Sequence, residues 1–81
     1  MSVQSPQEIA EDAAERFRAM RKEKKLSRRK VSEESGVPYA TIRHFEETGS
    51  ISFLSLVKIA SVLGEDERIQ SLFKSRSEEE E

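Results

Sequence analysis

Arginine and lysine crowd one stretch of this sequence. Between positions 16 and 30 stand Arg16, Arg18, Arg21, Lys22, Lys24, Lys25, Arg28, Arg29 and Lys30, with Glu23 the only acid among them. Guanidinium and ammonium groups at this density suit an anionic partner, and a planar guanidinium fork matches the oxygens of phosphate and of carboxylate alike. Catalytic groupings are missing. His44 is the only histidine and there is no cysteine, which leaves no set of ligands for a tight zinc site. His44 and Glu47 fall three apart, the spacing of an ordinary pair on a helix surface. Gly36, Gly49 and Gly64 are isolated, so no glycine-rich loop cradles a phosphate. The acids have no flanking features that would bury and tune them. We therefore expect no enzyme activity, no metal and no cofactor.

Charge is segregated along the chain. Residues 1–15 carry −4, residues 16–30 carry +8 and residues 31–81 carry −6, for a net −2 over 81 residues. A nucleic-acid binder is usually basic overall. This chain is not, so the case for an anionic partner rests on the local patch. The length permits one domain with a thin core. With no cysteine, a disulfide framework is excluded. No apolar run approaches the roughly 20 residues that span a bilayer, and the start lacks the pattern of a secretory leader, so no membrane role and a cytoplasmic location are expected.

The elements that must hold these residues are helices. Ser5-Pro6-Gln7-Glu8 is a helix start with a capping box and a proline at the first helical position. Ile9, Ala13, Phe17 and Met20 then recur at helical spacing, which predicts helix 1 over 6–24. Ser27 caps helix 2, over 28–35, and Gly36 ends it. Val37 and Pro38 make a short turn, and helix 3 follows over 39–47 with Ile42 and Phe45 facing inward. Ser52 caps helix 4, over 53–63, whose Phe53, Leu56, Val57, Ile59, Ala60 and Leu63 form a wide apolar stripe. A shorter fifth helix is expected over 66–75 with Ile69, Leu72 and Phe73 on one face. The pattern divides the chain into a flexible start (1–5), a helical domain (6–74) and a disordered acidic tail (75–81).

Two short helices joined at a glycine-containing turn form a helix-turn-helix. The stretch from Leu26 to Glu46 resembles the XRE family, the Cro and phage-repressor type of regulator. The likeness is carried by Leu26, Ser27, the small Ser32, Gly36, Val37, Thr41, Ile42 and Glu46. It extends to Phe17-Arg18-Ala19-Met20-Arg21 and to Ser52 through Gly64, covering about residues 14–64. The resemblance implies an all-α, compact five-helix bundle with the helix-turn-helix at helices 2 and 3. It also implies a double-stranded DNA operator as partner and a homodimer on palindromic DNA.

In such a fold the second helix of the motif enters the major groove, where each base pair shows its own donor and acceptor pattern. The base-reading candidates are then Tyr39, Ala40, Thr41, Arg43 and His44. Arg43 suits a guanine, Ala40 a thymine methyl, and His44 either donates or accepts. Ser27, Arg28, Arg29 and Lys30 are the phosphate-binding candidates. Three cations in the first turn of helix 2 oppose the helix dipole, and a helix selected for stability alone would carry acids there. Lys22, Lys24 and Lys25 can extend the patch, although cations at a helix C-terminus are also expected from the dipole. The resemblance further implies a structural ion pair between Arg21 and Glu46. Two positions depart from the family pattern. Pro38 stands where a capping Ser or Thr is usual, and Lys30 removes a second capping box.

A single module buries too little surface to be specific in a genome, so a dimer is expected. Its surface is either Ile69, Leu72 and Phe73 or the start of helix 1 at Ile9, Ala10, Ala13 and Ala14, unless those two sets pack on each other within one chain. Repression by operator occupancy is the simplest mechanism. Residues 42–46 followed by Thr-Gly-Ser-Ile-Ser also resemble small helix-turn-helix antitoxins, which would add a toxin protein as partner. A protein-interaction module that has lost DNA binding is a third alternative, and the acidic balance favours it.

Overall fold

The computed structural model describes residues 3–75. The acidic tail expected at 75–81 lies outside them except for Ser75, as do the first two residues of the expected flexible start. Five helices follow one another: α1 (Pro6–Glu23), α2 (Arg28–Ser35), α3 (Tyr39–Thr48), α4 (Phe53–Val62) and α5 (Asp66–Gln70). No strand occurs among the described residues.

Local signals set most of the boundaries. Ser5 accepts from the Glu8 amide while the Glu8 side chain accepts from the Ser5 amide, closing the capping box of α1. Ser27 and Ser52 cap α2 and α4 by accepting from the Lys30 and Ser55 amides. Gly36 and Gly49 end α2 and α3 in the left-handed conformation. α1 ends differently. The amides of Leu26 and Lys25 bond the carbonyls of Arg21 and Lys22, and the left-handed position between helix and loop is filled by Lys25 at φ 60°. This is the Schellman arrangement with lysine in the place that glycine usually takes.

The core is filled by side chains from α1, α2, α3 and α4. α1 packs on α3, α2 on both α3 and α4, and α5 touches only α4. Val31, Ile42 and Ile59 are fully enclosed, each worth about 1.5–3 kcal/mol relative to exposure. The Phe17 and Phe45 rings meet edge to face with centroids 5.5 Å apart. Gly49 lets α1 approach the end of α3. A Cβ on it would lie 2.8 Å from the Ala10 backbone, so this glycine is required by space as well as by its φ of 84°.

Three expectations need correction. Helix 5 was expected over 66–75 and ends at Gln70. α5 packs on α4 alone, so the residues after Gln70 gain little from continuing the helix. Leu72 is 44% and Phe73 98% exposed, the latter at φ 61°. The inward line of α1 runs through Ala14, Phe17 and Arg21, while Ile9 is 55% exposed. Phe53 lies outside the core at 58% exposure and lines an apolar groove instead.

Candidate nucleic-acid interface

The N-terminal ends of α2 and α3 border one open cleft, lined by Arg21, Ser27, Arg28, Arg29, Ser32, Glu33 and Tyr39. The turn between the two helices is held from α2. The Ser32 hydroxyl donates to the Val37 carbonyl at 2.7 Å, and the Ser35 hydroxyl accepts from the Val37 amide at 3.0 Å. Val37 itself is buried, so the turn is packed into the core as well as hydrogen-bonded. The sequence marked Ser32 only as a small residue. Its role as a pin of the turn comes from a hydroxyl that reaches a carbonyl five residues on, which the residue type alone does not disclose.

α3 leaves one face open. Tyr39, Ala40, Arg43 and His44 are exposed and Thr41 is half-buried, while Ile42, Phe45 and Glu46 point inward. Arg43 pairs with Glu47 one turn on at 3.1 Å, with both side chains more than half exposed. Such a surface pair contributes little and yields readily to a better acceptor.

Behind that face is a buried ionic cluster. Arg21 grips Glu46 with two nitrogens, Nε at 2.7 Å and Nη2 at 3.1 Å, and its Nη1 donates to the Leu26 carbonyl at 2.7 Å. Arg28 adds its Nε at 2.8 Å to the same carboxylate. The Glu46 side chain is 0% exposed, against 7% for Arg21 and 21% for Arg28. Burial works against ionisation of Glu46. The hydrogen bonds from Arg21 and Arg28 and their charges outweigh it, holding the carboxyl below the usual carboxylate range. The same carboxylate, with the Tyr39 phenol second, holds Arg28 more firmly protonated than an isolated arginine. The cluster joins α1, α2 and α3 at one point.

The phosphate candidates thus occupy unlike positions. Ser27 has its hydroxyl engaged as the cap of α2. Arg28 is turned inward to Glu46, and Lys30 pairs with Glu34 at 3.3 Å on the open surface. Arg29 is exposed and makes no ion pair among the described residues, as is true of Arg16, Arg18, Lys22, Lys24 and Lys25. No cluster of residues able to hold a metal occurs among the described residues, and no described helix is long and apolar enough to cross a membrane.

A short helix with a polar, exposed face, set against a capped helix by a packed turn, defines a helix-turn-helix, a class that presents its second helix to nucleic acid. A family model described as helix-turn-helix matches residues 17–69. The chain belongs to this family in its Cro and phage-repressor (XRE) branch, and is a DNA-binding regulator of transcription. Neither a curated protein nor a solved structure matches the chain.

Proposed function

We propose that the chain binds double-stranded DNA sequence-specifically as a homodimer and represses transcription by occupying its operator. The observation that carries this reading is the shared cleft, which sets exposed Arg29 and the capped start of α2 beside Tyr39 at the start of α3. A phosphate at that helix N-terminus meets free amide groups and a positive dipole end, and α3 then lies with Tyr39, Ala40, Thr41, Arg43 and His44 toward the base edges. Lys22, Lys24, Lys25 and Lys30 extend the positive surface, which makes binding steeply salt-dependent.

The dimer is supported by an apolar groove between α1 and the α4–α5 corner, lined among others by Ala13, Met20, Phe53, Leu56, Ile69 and Leu72. α1 and α5 do not pack on each other, and Ala10, Ala13, Ile69 and Leu72 of the two expected dimer sets line the gap. Ile9 and Phe73 are exposed outside that lining, and Ala14 is buried in the core. Phe73, 98% exposed and next in sequence to the groove residue Leu72, is the side chain a second copy would receive. Arg16, Arg68 and Glu65 also line it. Both signs at one groove suit a two-fold interface in which each patch meets its own copy. Dimerisation would set two reading helices about 34–36 Å apart, one turn of DNA.

The test is anisotropy of labelled DNA from upstream of the chain's own gene, at two salt concentrations, with Arg29→Glu and the pair Tyr39→Ala/His44→Ala as variants. Binding that weakens steeply with salt, is lost in Arg29→Glu and loses sequence preference in the pair supports the reading. A folded protein that ignores DNA overturns it. A chain that stays monomeric until a second protein fills the groove would favour an antitoxin over a free-standing repressor.

A further inference from the structure

One line of α1 belongs neither to the core nor to the surface assigned above to DNA. The inward line of this helix runs through Ala14, Phe17 and Arg21. Beside it Ile9, Ala13, Arg16 and Met20 recur at intervals of four, three and four, the spacing of a coiled-coil seam. Ile9, Ala13 and Arg16 are exposed and Met20 is half-buried. Ala13, Arg16 and Met20 stand on the α1 side of the apolar groove, and α5 does not pack across it onto α1. Arg16 makes no ion pair among the described residues. Neither does Asp12, whose carboxylate accepts from the Gln4 side chain.

The charges of α1 are polarised. Glu8, Glu11, Asp12 and Glu15 stand in its first half. Arg16, Arg18, Arg21 and Lys22 stand in its second, with Glu23 the one acid there and Lys24 and Lys25 following. A second α1 laid alongside in the same direction would set acid against acid and base against base. Laid antiparallel, it sets the acidic half of each helix along the basic half of the other, and charges flanking a seam decide helix orientation in this way. One antiparallel register suits the whole line. With its centre between Ala14 and Glu15, Ile9 meets the partner's Met20, Ala13 meets the partner's Arg16, and Arg16 comes beside the partner's Asp12. The small Ala13 leaves room there for the guanidinium. In this register Lys24 and Lys25 of the two copies lie about 30 Å apart along the pair, near the one-turn spacing of about 34–36 Å on DNA. A parallel pair would put them side by side.

We propose that the homodimer is built on α1: the helices of two copies pair antiparallel along Ile9, Ala13, Arg16 and Met20, with Arg16 of each copy paired to Asp12 of the other. This rests on the homodimer reading given above and gives that dimer its axis, beside the middle of α1. By two-fold symmetry every contact occurs twice, so the Arg16–Asp12 pair and the Ile9–Met20 contact each count double. The assignment uses Arg16, which the DNA reading leaves idle. It also sets the basic ends of the two copies at opposite poles of the pair, each free to meet its own half-site.

Two measurements test it. Light scattering of the free chain over a concentration series gives the dimer dissociation constant, and circular dichroism checks that each variant is folded. Arg16→Glu and Asp12→Lys should each weaken the dimer about tenfold, because two like-charge contacts replace two attractive ones. An equimolar mixture of the two should recover wild-type association, since each introduced charge then meets its opposite across the interface. Asp12→Lys/Arg16→Glu in one chain should recover it for the same reason. A pair formed within one chain cannot be rescued by mixing. The sequence has no cysteine, so Ile9→Cys and Met20→Cys chains read the register directly. On oxidation they should cross-link when mixed, and neither should cross-link to itself, because like positions lie about 16 Å apart and a disulfide needs Cα atoms within about 7 Å. Folded single variants that dimerise like wild type, a mixture that does not recover, or Ile9→Cys chains that cross-link to themselves overturn the α1 pairing and leave the dimer reading standing. A wild type that stays monomeric throughout the series overturns both.

Discussion

Replacing Glu46 by glutamine probes the cluster that joins three helices. The carboxylate receives hydrogen bonds at 2.7, 3.1 and 2.8 Å from two arginines and is fully enclosed. An amide offers one acceptor oxygen and turns its other end, a donor, toward a guanidinium. At least one of the three bonds is then lost and a donor faces a donor. Hydrogen bonds to charged groups contribute about 1.5–3 kcal/mol each, and uncoupling a buried pair costs about 3–5 kcal/mol. Arg28 is partly solvated and recovers some of that from water, so we expect a loss of about 2–4 kcal/mol near neutral pH. A domain of this size has only about 4–12 kcal/mol to lose. Urea unfolding followed by far-ultraviolet circular dichroism measures the change. Its pH dependence is diagnostic. The folded carboxyl lies below its unfolded value, near 4.3, so its contribution is complete above that pH and is lost as pH falls through the folded value. The gap between wild type and Glu46→Gln should therefore narrow on acidification, by up to about 1.4 kcal/mol per pH unit. A deficit under about 1 kcal/mol at neutral pH, or one that acid leaves unchanged, would mean that the Glu46 carboxylate does not hold the three helices together.

Other outcomes follow from the same geometry. Gly49→Ala should cost about 3 kcal/mol or more by urea unfolding, because strain at positive φ is joined by collision with the α1 backbone. Gly36→Ala, with open space around it, should cost about 1 kcal/mol. Lys25→Gly should relieve a left-handed lysine and raise stability by about 0.5–1 kcal/mol while lowering DNA affinity and the salt slope. Stability and affinity that move together would remove Lys25 from the phosphate surface. Phe73→Asp should leave stability within about 0.5 kcal/mol, since the side chain is fully exposed, and yield a folded monomer by light scattering. An unfolded chain, or an intact dimer, would count against the groove as the interface.

Much of the fold was legible because its signals are local. Ser5, Ser27 and Ser52 announce helix starts, Gly36 announces an end, and the apolar spacing in between places Ile42 and Phe45 inside. The end of α5 was not legible. Ile69, Leu72 and Phe73 have helical spacing, but whether that face is covered depends on partners distant in sequence, and α1 does not reach it. The need for glycine at position 49 was likewise hidden, because a close approach to Ala10 is a tertiary fact. At the candidate site the exposed residues of α3 followed from periodicity. The charge pattern showed that residues 28–30 break the dipole rule, but not that Arg28 turns inward. Its direction is set by a carboxylate 18 positions away, and only the packing of α2 on α3 brings the two together.

The most direct test of the central claim is selection from a randomised duplex pool by the full chain, with the recovered DNA titrated across salt concentrations. A dimeric reader of DNA should enrich one sequence, with two half-sites about 10–10.5 base pairs apart and log affinity falling linearly with log salt. Tyr39→Ala/His44→Ala should lose the enrichment but keep the salt dependence. A folded chain that enriches no sequence, or whose double variant enriches the same one, would contradict that claim.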